Sequence, residues 1–238
     1  MLFLRSLLFN TLFWIDTFVL STLILLVRPF GLSYSYFFGR SWSRLNMLLL
    51  RLICGISYRV EIKGKLPEGP AVFLSKHESA WETVAFPSFM PPYMWVLKRE
   101  LFHIPIFGWA LVALGHIGID REQGIKSMKA INDAGGKILQ SGYSMVIFPE
   151  GTRTAPGEMG EFNPGGASLA VRAGVPIVPV THNAGRLWGK RGFAKEPGLI
   201  TVVIDEPIPT EGLPPSQRKE LNQRVKEIIE QRLKEIGG

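Results

Sequence analysis

The sequence predicts an α/β protein: a mixed, mostly parallel sheet flanked by helices, with an N-terminal helical membrane anchor. Three observations carry this reading. From residue 58 onward, short apolar runs of strand length alternate with longer segments of helical period. Residues 2–27 are largely apolar, which is the composition of a membrane-seeking helix. The 238 residues are 46% hydrophobic and 20% charged, enough for one ordered domain with chain left over for attachment.

The first apolar segment has three readings: a signal peptide, a spanning helix or an in-plane anchor. Only Arg5 supplies a basic start, and no small-x-small cleavage site follows Val27, which argues against the first. Residues 7–27 reach the ~20 residues that a span needs, but Asn10 and Asp16 interrupt them. An ionised aspartate near the middle costs about 2.5–3.5 kcal/mol on insertion scales. The segment is therefore either a shallow helix or one of a pair that shields Asp16. Residues 39–56 offer the second member. Trp42, Leu45, Leu49 and Leu52 recur at helical spacing, and Arg44 and Arg51 share a face. This is the pattern of a basic amphipathic helix at a headgroup layer, or of a helix packed on the domain. Arg28, Arg40, Arg44, Arg51 and Arg59 follow the first run. By the positive-inside tendency, that places the globular part on the cytoplasmic face of the cell (inner) membrane. Residues 1–57 are thus expected to anchor, and residues 58–238 to form the α/β domain.

Within that domain, Tyr58, Val60 and Ile62 alternate with Arg59, Glu61 and Lys63, the period of a half-exposed strand. Pro67-Glu68-Gly69-Pro70 is a turn. Residues 71–74, 95–97, 117–119, 145–148, 177–180 and 200–204 read as buried strands. A helical stripe runs through Ile125, Met128, Ile131, Ala134 and Ile138. A shorter helix is expected at 168–173, before Gly174. Residues 216–236 line up Leu221, Val225, Ile228, Ile229, Leu233 and Ile236 on one side, with charges on the other.

Lys and Arg number 27 against 20 Asp and Glu, giving a net charge of +7. That balance suits anionic lipid, phosphate-bearing substrates or nucleic acid. The single cysteine, Cys54, excludes a disulfide framework and a cysteine-rich zinc site.

The chemistry-bearing residues cluster by position. His77 comes just after the 71–74 run, Lys98 directly follows Leu97, Arg121 comes two residues after Ile119, and Glu150 and Arg153 follow Phe148. All lie past the carboxyl ends of expected strands, the edge where open α/β sheets bind ligands and where helix N-termini attract anions. Histidine, with an unperturbed pKa of about 6.5, suits base work near neutral pH. A carboxylate beside it fixes its tautomer and stabilises the imidazolium. Glu82 stands five residues on, a workable offset when His77 lies in a loop and Glu82 in the first turns of a helix.

These motifs resemble the glycerophospholipid acyltransferase family, and most closely its 1-acyl-sn-glycerol-3-phosphate acyltransferases. Four ordered blocks carry the resemblance across about residues 76–180. The first, His-x4-Asp with a serine two residues after the histidine, is matched by His77, Ser79 and Glu82. The second is similar to Gly115-His116-Ile117-Gly118-Ile119-Asp120-Arg121, and the third is Phe148-Pro149-Glu150-Gly151-Thr152-Arg153. The fourth is Val175-Pro176-Ile177-Val178-Pro179. Lys98, Glu100, Leu101, Pro105 and Gly108 match the segment between the first two blocks. Two positions depart from the family pattern: Glu82 replaces the usual aspartate, and Asn163 stands where many relatives carry lysine.

The resemblance implies direct acyl transfer from acyl-CoA or acyl carrier protein to the free hydroxyl of a lysophospholipid, with lysophosphatidic acid becoming phosphatidic acid. His77 would be the general base, held by Glu82. Arg153 and Arg121 would grip the phosphate. Glu150, Gly151 and Thr152 would belong to the same substrate-binding loop, and Lys98 would contact phosphate or coenzyme, or lie in solvent. Glu150 would orient Arg153 or cap a helix. Membrane lipids are the implied partners, with no nucleic acid, no cofactor and no metal. Other classes make different demands. A zinc hydrolase would need histidine where Trp81 stands. An acyl-serine enzyme would need the hydroxyl of Ser79, a residue better placed to cap a helix. A non-catalytic membrane module would have no use for His77 or for the loop of Arg153.

Overall fold

The computed structural model describes residues 1–120, 125–190 and 192–237, the side chains of residues 125–128 excepted. Seven strands form one sheet: β1 (Ile56–Ile62), β2 (Val72–Ser75), β3 (Tyr93–Lys98), β4 (Ile117–Ile119), β5 (Ser144–Ile147), β6 (Ile177–His182) and β7 (Gly198–Ile204). Their spatial order is β1-β7-β6-β2-β5-β3-β4. Every neighbouring pair is parallel except β6 with β7. The mixed, mostly parallel sheet flanked by helices is the expected fold class.

The central strands β2, β5 and β6 are buried at every position and mostly apolar because both faces of the sheet are covered. Phe73 and Val146 point into one core, while their chain neighbours Val72, Leu74, Met145 and Ile147 point into the other. The first core is closed by α1 (Leu2–Val27), α2 (Leu32–Leu49) and α3 (Trp81–Phe89), and the second by α5 (Ile125–Gln140), α6 (Gly165–Ala173) and α7 (Arg218–Glu235). The stripe expected in the last helix is observed, with Leu221, Val225, Ile229 and Leu233 buried. One short helix, α4 (Phe107–Ala113), has no counterpart in the sequence-based expectations. Two turns are too few to display a period.

The N-terminal helices carry a polar seam inward and apolar faces outward. Residues 2–30 are long and apolar enough to cross a membrane. Leu7, Trp14, Phe18 and Leu26 of α1 are exposed, whereas Ser6, Thr17 and Ser21 are buried against the rest of the protein. Thr17 Oγ1 accepts from Trp42 Nε1 at 2.9 Å, and Asp16 Oδ2 accepts from Asn46 Nδ2 at 3.0 Å. Asp16 is therefore shielded by a partner helix, as one of the two readings expected. The second helix differs from expectation in extent and in face. It begins at Leu32, behind Gly31, and ends in a π-helical turn over Leu50–Cys54 that is closed by left-handed Gly55 (φ 71°). Its buried stripe is Ser43, Asn46, Met47, Leu50 and Cys54, while Leu45 and Leu52 are exposed beside Arg44 and Arg51. Helical spacing alone could not select between the two stripes, because the buried one is partly polar: Ser43 is satisfied by carbonyls of α3 and Asn46 by Asp16 of α1.

Asn46→Leu removes the donor to Asp16 within the helix pair. Stability in detergent, measured by thermal or denaturant unfolding, should fall by about 1–3 kcal/mol, the usual cost of stripping a buried polar group of its partner. The Asp16→Leu/Asn46→Leu double variant should recover part of that loss.

Candidate active site

β2 and β5 are adjacent and parallel, so the loops leaving their carboxyl ends emerge side by side. The first loop runs from Lys76 to Ala80 and enters α3. The second runs from Phe148 to Thr154. β6 flanks β2 on its other side and ends in His182.

His77 Nδ1 lies 2.7 Å from Glu82 Oε1. The same oxygen accepts the N–H groups of Ser79 at 3.0 Å and Glu78 at 3.2 Å. Glu82 sits in the first turn of α3, so its extra methylene lets the carboxylate reach back over the turn that leads into its own helix. Burial alone would raise its pKa, but His182 and His77 outweigh that, and the carboxyl stays below its ordinary range. An ionised Glu82 can only accept, so Nδ1 of His77 carries the proton and Nε2 is the basic nitrogen. The imidazole ring stacks on Phe148, with centroids 4.0 Å apart and planes 14° apart.

The two loops are joined by charge. Lys76 Nζ donates to Glu150 Oε1 at 2.9 Å and Oε2 at 3.2 Å, and both side chains are fully buried. Lys76 Nζ also contacts Thr154 Oγ1. Glu150 Oε2 accepts the N–H of His77 at 2.9 Å, and Oε1 accepts that of Gly160 at 2.9 Å. Thr154 N–H donates to the His77 carbonyl at 3.0 Å. Glu150 thus holds the backbone of His77 itself, a third role beside the two expected for it.

The remaining expected residues sit as follows. Gly151 turns the loop in the left-handed region (φ 67°), which glycine adopts without strain. Its N–H donates to Phe148 O at 3.0 Å. Thr152 is exposed and Arg153 half-buried. The Nε of Arg153 is buried with no hydrogen-bond partner among the described residues. Lys98, at the end of β3, is exposed and pairs with Glu100 at 3.2 Å. Arg121 lies outside the described residues. Ser79 Oγ accepts the N–H of Trp81 at 3.0 Å and donates to Trp188 O, which commits the hydroxyl away from His77. The N-cap position of α3 is Ala80, so Ser79 braces the entry to the helix one residue before the cap expected of it. Asn163 holds Pro149 O through both its backbone N–H (2.9 Å) and its side-chain amide (3.0 Å), so it braces the Arg153 loop.

His77, Thr152, Arg153 and Lys98 all line one cavity of about 730 Å³. Its other walls are mostly apolar and come largely from α1, α2, α3 and α4 and the segments beside them, through residues such as Phe13, Trp42, Val84, Met90, Trp95 and Leu114. The base, the guanidinium and an apolar chamber therefore share one space. Lys76, Glu78 and His182 were not legible as site residues. Lys76 stands beside the motif histidine, but nothing in a lone lysine announces that it will be buried.

Comparison with known proteins gives the family and the fold. The acyltransferase family model matches residues 57–183. A 1-acyl-sn-glycerol-3-phosphate acyltransferase of Pseudomonas aeruginosa is 43% identical over 98% of this chain and 91% of its own length. The human 1-acyl-sn-glycerol-3-phosphate acyltransferase alpha is 31% identical over 82% of this chain and 70% of its own. The crystal structure of the 1-acyl-sn-glycerophosphate (LPA) acyltransferase PlsC from Thermotoga maritima superposes with a TM-score of 0.80 at 21% identity, covering 100% of this chain and 98% of that one, and so shares the fold. A family model spanning more than half the chain, together with a relative matched almost end to end, makes this protein a member of the 1-acyl-sn-glycerol-3-phosphate acyltransferase family.

Proposed function

We propose that the protein transfers a fatty acyl group from an acyl thioester to the free hydroxyl of lysophosphatidic acid, yielding phosphatidic acid for phospholipid synthesis. The observation that carries this reading is the shared cavity, where a histidine–carboxylate pair and a partly unsatisfied arginine face an apolar chamber. His77 Nε2 takes the hydroxyl proton as the oxygen attacks the thioester carbonyl. A tetrahedral intermediate forms, the C–S bond breaks, and the imidazolium returns its proton to the departing thiolate. Glu82 offsets the transient positive charge on His77. Arg153 holds the phosphate by charge-assisted hydrogen bonds, with Arg121, Gly151, Thr152 and Lys98 as further contacts around the same group. Glu150 positions His77 and touches no substrate. The apolar walls receive acyl chain.

The family likeness supports acyl-CoA or acyl carrier protein as the donor. Residues 1–57 serve as the membrane anchor, supported by the outward apolar faces of α1 and α2. The arginines that follow α1 favour the inner membrane, with the site on the cytoplasmic side.

His77→Ala should lower kcat by at least about 10²–10⁴-fold, the usual worth of a general base, with folding and membrane recovery unchanged. Normal turnover would remove His77 from the base role. Arg153→Ala should raise the KM for lysophosphatidic acid by roughly 10-fold or more, from the loss of a charge-assisted hydrogen bond worth ~1.5–3 kcal/mol. An unchanged KM would take Arg153 off the phosphate. Both are read with purified protein and labelled acyl-CoA. A panel of lysophospholipid acceptors in the same assay identifies the headgroup.

A further inference from the structure

The mechanism leaves one group of buried titratable side chains unused. His182 is fully buried at the end of β6, and it touches the catalytic loop from below. Its Nε2 lies 3.0 Å from the carbonyl oxygen of Lys76, the peptide that leads into His77. Its Nδ1 lies 3.4 Å from the N–H of Ala184. A carbonyl can only accept, so the Nε2 of His182 carries a proton and donates it to the Lys76 carbonyl. That N–H edge also faces Glu82: Nε2 is 3.9 Å from Glu82 Oε2. Glu82 Oε2 is buried and has no hydrogen-bond partner among the described residues, although Oε1 has three. The imidazole edge of His182 faces this oxygen without a hydrogen bond between them.

We propose that His182 is a positioning residue of the active site, gripping the Lys76–His77 peptide and presenting its Nε2–H edge to the second oxygen of Glu82, so that it sets the proton affinity of the His77–Glu82 pair.

The surroundings of His182 are few and accounted for. Glu78 Oε1 lies 3.9 Å from Nδ1 and is held by the N–H of Gly185 at 2.8 Å. A side chain at Gly185 would meet Glu78 at about 3.0 Å, so this turn packs closely on the glutamate. Burial pushes the Glu78 carboxyl above its ordinary range, although His182, Gly185 and Lys76 pull the other way. Lys76 is neutralised by Glu150 on the far side of the peptide that His182 grips. Trp81 and Phe86 supply the uncharged walls. Glu82, Glu78 and the Lys76–Glu150 pair are thus the charged groups around His182. Glu78 Oε2 and Glu82 Oε2 are both buried without a hydrogen-bond partner among the described residues, and Glu82 Oε2 is the one that faces the Nε2 edge.

The sign of the effect follows. A donor edge beside Glu82 Oε2 favours the carboxylate. Removing it makes the His77–Glu82 pair bind a proton more tightly, whichever member holds it. The base is then lost at higher pH, and the acid limb of kcat/KM moves up. His182→Asn keeps an amide near the position of Nδ1 but withdraws the group at Nε2. His182→Gln reaches the position of Nε2.

The inference rests on His77 acting as the base. The experiment is a pH profile of kcat/KM for lysophosphatidic acid, from about pH 5 to 9, for wild type, His182→Asn, His182→Gln and His77→Ala, with thermal unfolding as the check on folding. His182→Asn should shift the acid limb up by about one pH unit, a tenfold change in proton affinity. Its deficit should be several-fold larger at pH 6 than at pH 8, up to the limit of about tenfold that one pH unit sets, and His182→Gln should restore the wild-type limb. A rate lowered equally at every pH, or a limb shifted equally by Asn and Gln, would overturn the proposal. Activity surviving in His77→Ala would instead overturn the base assignment beneath it. Should His182→Asn not fold, His182→Gln alone decides: a limb displaced from that of wild type in a folded protein contradicts the role.

Discussion

The active site depends on two opposite charges buried side by side. Lys76 and Glu150 leave solvent entirely, at a cost of several kcal/mol for each ion even after relaxation. Their mutual attraction offsets this only because the remaining valences are filled. Glu150 accepts from the His77 and Gly160 amides, and Lys76 adds Thr154 to its contacts. The consequence is geometric. One loop belongs to β2 and the other to β5, and each alone is a short excursion at the sheet edge. Joined by this pair, they bring the imidazole of His77 and the guanidinium of Arg153 to one cavity. A buried pair of this kind is weak evidence for stability, since apolar residues of similar volume often serve as well. Its value here lies in registering two loops that the sheet places side by side but does not lock.

The anchor helices are part of the same construction. α1 and α2 form walls of the cavity, and one continuous hydrophobic cluster runs from Phe9 and Met47 to Val178 and Ile200 of the sheet. A second tie runs through Lys195. Its ammonium donates to Asn10 Oδ1 of α1 at 2.8 Å and sits 4.5 Å from the ring of Trp188, whose carbonyl receives the Ser79 hydroxyl in the loop leading into α3. On the proposed function, the helices that attach the protein to the membrane also help to build the site.

Much of the fold was legible because periodicity reports which faces are covered. Uninterrupted apolar runs such as 145–148 predicted strands buried on both sides, and β5 is one, although Phe148 leaves the strand and turns under His77. The residues past the strand ends were legible for the same reason, since strand ends in a parallel sheet share an edge. Other features had no local signal. Lys76, Glu78 and His182 are polar residues made internal by contacts from distant segments. No window of sequence shows that Glu150 will meet Lys76 across 74 positions. The face of α2 was obscured in the same way, because Ser43 and Asn46 are buried by hydrogen bonds and the leucines beside them are left outside.

The central claim is that the Lys76–Glu150 pair registers the two loops, and a double-mutant cycle tests it most directly. Unfolding stability and kcat/KM would be measured for Lys76→Met, Glu150→Gln and the double variant. Each single change strands one buried polar partner and should cost about 3–5 kcal/mol, with turnover falling alongside. The double variant should be more stable than Lys76→Met, and it should regain part of the turnover, because glutamine still accepts the His77 amide. Losses that simply add, in stability and in turnover, would contradict the claim that the two charges act as one structural unit.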